Sequence, residues 1–373
     1  MIKILYKIYV QISIIFLLVA YLFSSFKVIN TQNGDIVLHN SSNPITPTEF
    51  YVATVKDERE NKAAIAWLLP VNYYLNNMLK TFPVDLRGGS FNAIKKYIEY
   101  NISKNAAYRP IDIRLKKFTV TETPVANGGA QGAVNLALSF DLETGLDETL
   151  QLTTYRGNTT YTRRAGYPQD IEPILRQALQ NGLIYLNNWM NKQAGSNILL
   201  AKKVLLSFTD YSEKTEGDTI YYNINRPLTW DDFHSKIGNS RFDAEVFPSF
   251  GYSEKVVVDK GVINIILSIK VFLPKSANWA KESARDSYGL NHEQRHLDIA
   301  KIVSEHFKQK LKTENLPVHN YDGFINVDYL DAFREMNALQ KQYDSETAHG
   351  SNHWAQEKWD ARIDDELKKL GIK

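Results

Sequence analysis

Hydrophobic and polar positions fall into three regimes along the chain. Lys3 and Lys7 open a segment that then runs without a charge from Ile8 to Phe26, through Ile-Ile-Phe-Leu-Leu-Val-Ala-Tyr-Leu-Phe. A basic start before an apolar run predicts an export signal or a membrane anchor, and no small-x-small cleavage site follows Ala20. With the lysines held inside, the rest of the chain lies beyond the cytoplasmic membrane, periplasmic or anchored to it.

After a polar, turn-rich stretch the pattern becomes that of strands. Phe50 to Val55 is rich in β-branched and aromatic residues, and Val134, Leu136, Leu138, Phe140 and Leu142 alternate strictly. Ile111 to Thr121 is the matching strand across a Gly-rich loop at 127–132. Two further strands, 150–155 and 159–163, are expected to turn at Arg156-Gly157-Asn158. Helices are expected at 91–104, behind the cap Ser90 and with Ile94, Ile98 and Ile102 on one face, and at 169–192 along the stripe Ile171, Leu175, Leu179, Leu183, Leu186 and Met190.

Ala194-Gly195-Ser196-Asn197 reads as a linker, which puts a boundary near residue 200. Beyond it come strands at 204–208, 219–222 and 262–272, the last with one wet face because Asn264, Ser268 and Lys270 interrupt its isoleucines. From Ser287 the period turns helical, with Ala300, Val303, Phe307 and Leu311 carrying one face toward Thr313. Further helices are expected at 327–341 and 352–370, joined by a loop. The expected class is α+β: a membrane segment over 1–26, an antiparallel sheet-plus-helix accessory domain over 27–199, and a second α+β domain over 200–373. Its strand at 262–272 could receive an extended peptide by strand addition.

Composition narrows the chemistry. With 44 basic against 42 acidic side chains the formal charge is +2, too little to attract a polyanion, so nucleic acid is not an expected partner. The chain has no cysteine, which excludes thiolate metal sites and a thiol nucleophile; any metal must use His, Asp or Glu. The first domain offers only His39 and carries no catalytic constellation.

The second domain carries His292-Glu293-Gln294-Arg295-His296. On a helix, histidines four apart stand one turn above each other, so both imidazoles can reach one zinc ion at about 2.0–2.1 Å. Glu293 lies about 100° around the axis, beside the metal without being forced to bind it, where a general base must stand. A third protein ligand is needed. His306 is roughly 21 Å farther along the axis and too distant, and His319 is a candidate with little else to support it. The segment 342–350 gathers Tyr343, Glu346 and His349, read as a loop that could lean over the histidine helix. Asp298 could orient a ligand imidazole or pair with Arg295 or Lys301.

The helix motif His292-Glu293-Gln294-x-His296-x-Asp298-Ile299, together with Leu-Thr-Trp-Asp-Asp-Phe at 228–233, Trp279 and Tyr-Asp-x-Glu-Thr-x-His-Gly at 343–350, resembles a bacterial family of predicted secreted zinc-dependent peptidases. The likeness spans residues 203–373. It implies a zincin-like domain with Zn2+ held by His292, His296 and His349, Glu346 being the alternative to His349. It implies hydrolysis of peptide bonds in a peptide or protein substrate, with Glu293 as the base, and Tyr343 is a candidate donor to the oxyanion. The rival readings are a non-catalytic envelope binding protein with a structural or vestigial zinc site, and a zinc amidase acting on cell-wall peptides.

Overall fold

A computed structural model of the protein describes residues 35–74, 79–145, 148–211, 217–236 and 240–373. The membrane segment expected over 1–26 lies outside these residues. Among the described residues no helix is long and apolar enough to cross a membrane. The protein is a mixed α+β chain of two compact units, Met1–Asn191 and Lys192–Lys373.

The first unit is built on β1 (Phe50–Asp57), β2 (Ala66–Leu68), β3 (Phe82–Val84), β4 (Arg109–Pro124), β5 (Ala130–Glu143) and β6 (Thr149–Arg163). They form one six-stranded sheet in the order β3-β2-β4-β5-β6, with β1 also paired to β4. The sheet is mixed, not antiparallel as expected: β1 and β2 both run parallel to β4. Parallel pairing needs a long crossover, and α1 (Ser90–Asn101) lies in the connection that supplies it. The hairpin expected at Arg156-Gly157-Asn158 does not form. Instead β6 is one continuous strand, with Gly157 opposite Leu136 in mid-ladder. Its turn-prone residues are overruled because both halves of the strand find partners on β5. The long helix α2 (Glu172–Gln193) covers the sheet so closely that a Cβ on Gly182 would come within 2.8 Å of Leu138.

In the second unit, β7 (Lys203–Asp210), β8 (Thr219–Tyr221), β10 (Ser249–Asp259) and β11 (Val262–Pro274) form a four-stranded sheet, and β9 (Ala244–Glu245) pairs with β12 (Trp279–Ala280). The strand-addition role expected for 262–272 is not available. Strand β11 is central, bonded to β10 on one side and to β7 and β8 on the other, so it has no free edge to offer.

Three helices follow: α3 (Ser287–Thr313), α4 (Tyr321–Thr347) and α5 (His353–Lys369). Helix α3 begins where the Asp286 carboxylate accepts the Gly289 N–H at 2.7 Å, a side-chain cap for an otherwise unpaired donor. It is enclosed on several sides. Leu297, Ala300, Val303, Phe307 and Leu311 meet Ile263, Ile265 and Leu267 of β11 and Met336 of α4. Ile299 and Ile302 meet Tyr343 of α4 and Trp359 and Ile363 of α5. So wide an apolar surround forces even the polar residues of this helix out of water, and His292, Glu293, Arg295, His296 and Asp298 are all buried.

Helix α4 runs on through the segment expected to be a loop and ends at Thr347. It continues because Met336, Tyr343 and Thr347 lie on its buried face, so the core holds the last turns in helical form. Only then do Ala348, His349 and Gly350 take left-handed conformations, with φ of 49°, 52° and 81°.

Candidate metal centre

His292 and His296 face the same side of α3, as their spacing requires. Their Nε2 atoms lie 3.4 Å and 3.0 Å from one carboxylate oxygen, Oδ1 of Asp344, near the end of α4. Among the described residues these three side chains form the group that could hold a metal ion, their ligand atoms all within 4.8 Å of one another. Asp344 was missed from the sequence because its segment was read as loop. Once α4 is continued, Asp344 falls one turn beyond Gln340 on the site-facing side, while Glu346 lies about 200° around from it.

Two glutamines settle which ring nitrogens carry hydrogen. The Gln356 amide donates to Asp360 Oδ1 at 2.9 Å, which leaves its Oε1 to accept from His292 Nδ1 at 2.9 Å. The Gln340 amide donates to the His296 carbonyl at 2.9 Å, and its Oε1 accepts from His296 Nδ1. Each imidazole therefore holds its hydrogen on Nδ1 and turns the Nε2 lone pair toward Asp344. Acceptors facing an acceptor repel unless a cation stands between them, a proton or a metal. The protonated alternative leaves its mark on the free site. Burial opposes charging His296, but Asp344, Glu293 and Gln340 outweigh it and raise its pKa above the ordinary value. For Asp344 burial is likewise outweighed, by hydrogen bonds from both histidines, and its carboxyl stays well below the usual carboxylate range.

Beside this group Glu293 is 4 % exposed and its Oε2 has no hydrogen-bond partner. Burial pushes its carboxyl up, against the pull of His296 and His292. A buried, unpartnered carboxylate oxygen costs of order 1–3 kcal/mol and is rarely kept without a use. It lines a cleft of roughly 980 Å3 together with His292, His296 and Asp344. Two imidazole nitrogens with fixed lone pairs and one carboxylate oxygen are a donor set that suits a divalent cation, so the residues present fit one.

The remaining candidates occupy other positions. His349 stands outside the group of three, 44 % exposed, with Nδ1 3.6 Å from Asp344 Oδ1 and its ring 4.2 Å from that of Phe242. Glu346, the alternative ligand, points away: its oxygens accept from Gln342 at 2.8 Å and from the Trp359 indole at 2.8 Å. The Tyr343 hydroxyl is not a donor in the cleft. It is fully buried, 3.0 Å from Gln356 Oε1 and 3.3 Å from the His292 carbonyl, and its ring stacks on His292 at 4.7 Å. Tyr343 thus packs the His292 ring in place. Asp298 orients neither imidazole; it takes Arg295 at 3.1 Å and Gln294 at 2.9 Å. Gln294 in turn accepts the Leu228 N–H at 2.8 Å, which ties the Leu-Thr-Trp-Asp-Asp-Phe block to the histidine helix. Gly350 is favoured by its backbone, whose φ of 81° lies in the left-handed region; a Cβ there would merely touch the His292 ring at 3.4 Å.

No family model matches the sequence. No curated protein matches it either. Among solved structures, a Xanthomonas campestris protein assigned to DUF330 is similar at 9 % identity and a TM-score of 0.28, over 43 % of this chain and 97 % of its own. An uncharacterised protein is similar at 2 % identity and a TM-score of 0.24, over 41 % of this chain and 97 % of its own.

Proposed function

We propose that the second unit is a zinc-dependent hydrolase of peptide bonds, working in the bacterial cell envelope. The observation that carries the reading is Glu293, a buried carboxylate with an unpartnered oxygen, next to two histidines whose lone pairs are aimed at Asp344. Zinc is the metal favoured by two imidazoles and one carboxylate, with His292, His296 and Asp344 as its ligands. When bound, it would supply Lewis acidity toward a carbonyl oxygen and toward water. Glu293 then takes a proton from the attacking water on Oε2 and delivers it to the leaving amine nitrogen. Gln356, Gln340 and the Tyr343 ring keep the two imidazoles in register while this occurs. The resemblance of residues 203–373 to secreted zinc peptidases supports the same chemistry. The export or anchor pattern at 1–26 supports the location.

The test is hydrolysis of a mixed peptide library by the purified protein, stopped by a chelator and restored by zinc. Glu293→Gln should keep zinc and lose about 10²–10⁴-fold in turnover, the usual share of a general base. Zinc bound without hydrolysis of any peptide would favour the binding-protein reading. Release of fragments from isolated wall material, with the peptide library untouched, would make it a cell-wall amidase.

A further inference from the structure

The charges that line the cleft divide by whether the protein has already used them. Asp243 pairs with Lys281 at 3.0 Å, and Glu245 accepts the Trp279 indole N–H at 3.2 Å. Asp286 caps α3, and Asp344 faces the two histidines. The cleft also has two cations, Arg241 and Lys341. Neither forms an ion pair among the described residues.

Arg241 is held ready. Its guanidinium lies over the Phe242 ring, 4.9 Å from the centroid, and that ring lies 4.2 Å from His349. A guanidinium held against a ring has less freedom to lose on binding, which lowers the ordering cost of receiving a flat anion. Lys341 is on α4, three residues before Asp344, so it stands about one helical turn from the proposed ligand. Two exposed cations, one of them held against a ring, at a site whose acids apart from the buried Glu293 are all committed, call for an anion from outside. A carboxylate is the anion that a peptide carries, and a guanidinium receives it through two parallel hydrogen bonds.

We infer that the cleft recognises peptides bearing a carboxylate near the bond to be cut, received by Arg241 and Lys341. The carboxylate has two sources, an acidic side chain or the peptide's own C-terminus. The inference takes its chemistry from the hydrolase reading, yet binding tests it independently of turnover.

The experiment uses the full-length protein loaded with zinc and four fluorescein-labelled peptides of one sequence. The peptides differ in carrying Glu or Gln at one position and a free or an amidated C-terminus, and affinity is read by anisotropy. A carboxylate peptide should bind about tenfold more tightly than the neutral one, a difference of the size that one well-formed charged contact provides. The Glu-amide and Gln-acid peptides show which source is used. Arg241→Gln should remove most of the preference, Lys341→Gln a smaller part, and Arg241→Lys should restore only some of it because the fork is lost. Equal affinity for all four peptides overturns the inference, as does a preference that survives both substitutions or a failure to bind any of the four. If the preference holds while no peptide is cut, the hydrolase reading fails and this one stands; cleavage without preference gives the reverse.

Discussion

Two buried glutamates, one in each unit, show how differently the chain treats the same side chain. Glu122 is 5 % exposed and Glu293 is 4 % exposed. Glu122 has every lone-pair direction filled: Arg163 reaches both oxygens at 3.0 Å, the Leu69 N–H donates at 2.9 Å and the Tyr161 hydroxyl at 3.1 Å. Arg163 also donates to the Leu69 carbonyl at 2.7 Å, so the pair stitches the segment after β2 to strands β4 and β6. Glu293 has burial without that company, and its Oε2 meets no donor. A buried carboxylate saturated in this way is an architectural solution, because its charge is neutralised and its geometry fixed. An unsaturated one holds free energy in reserve for whatever enters beside it.

The contrast breaks most violently at Glu122. Glu122→Ala strands the Arg163 guanidinium in the core and should cost about 3–5 kcal/mol of stability, measured by urea unfolding followed by circular dichroism. A loss under about 1 kcal/mol would mean that the network contributes little, and the comparison would lose its structural half. Next in size are the glutamines that hold the imidazoles. Gln340→Leu and Gln356→Leu should each weaken zinc binding about 10–100-fold in competition with a chromophoric chelator. Gln340 is only half-buried, which makes it the cleaner of the two. Unchanged affinity in both variants would show that the tautomers are set by something other than these amides.

The legible part of the site was the part encoded locally. Histidines four apart on a helix share a face whatever surrounds them, and the apolar stripe from Ala300 to Leu311 located α3 without reference to any other element. What escaped was set by packing between helices. Asp344 depends on where α4 stops, and that is decided by Tyr343 and Thr347 settling into a core made partly by α3 and α5. Gln340 and Gln356 are ordinary surface-type residues until two other helices bring His296 and His292 against them. In the first unit the same limit produced the false turn at Gly157, where local turn chemistry gave way to a ladder with β5. The α+β class was readable because periodicity changes sharply along the chain; strand neighbours, and so the mixed sheet and the closed edges of β11, were not.

The smallest effect sharpens the comparison most, because it reverses sign. Glu293→Gln removes a charge from a site that cannot solvate it, so in chelated, metal-free protein the variant should be more stable than the parent by about 1–3 kcal/mol. The pH dependence follows from the direction of the shift. Burial raises the folded-state pKa of Glu293, so the folded protein keeps a proton that the unfolded chain gives up near the ordinary glutamate value of about 4.3. Parent stability therefore falls as pH rises from that value through the raised one, and the advantage of Gln is absent near pH 4 and grows toward pH 8. Thermal midpoints at those two pH values measure it, each 1 kcal/mol appearing as roughly 2–4 °C for a unit of this size. Zinc should shrink the advantage, since a cation beside the carboxylate stabilises its ionised form. A variant less stable than the parent at pH 8 in chelator would mean that Glu293 supports the fold as Glu122 does, and the case for it as a base would go with that result.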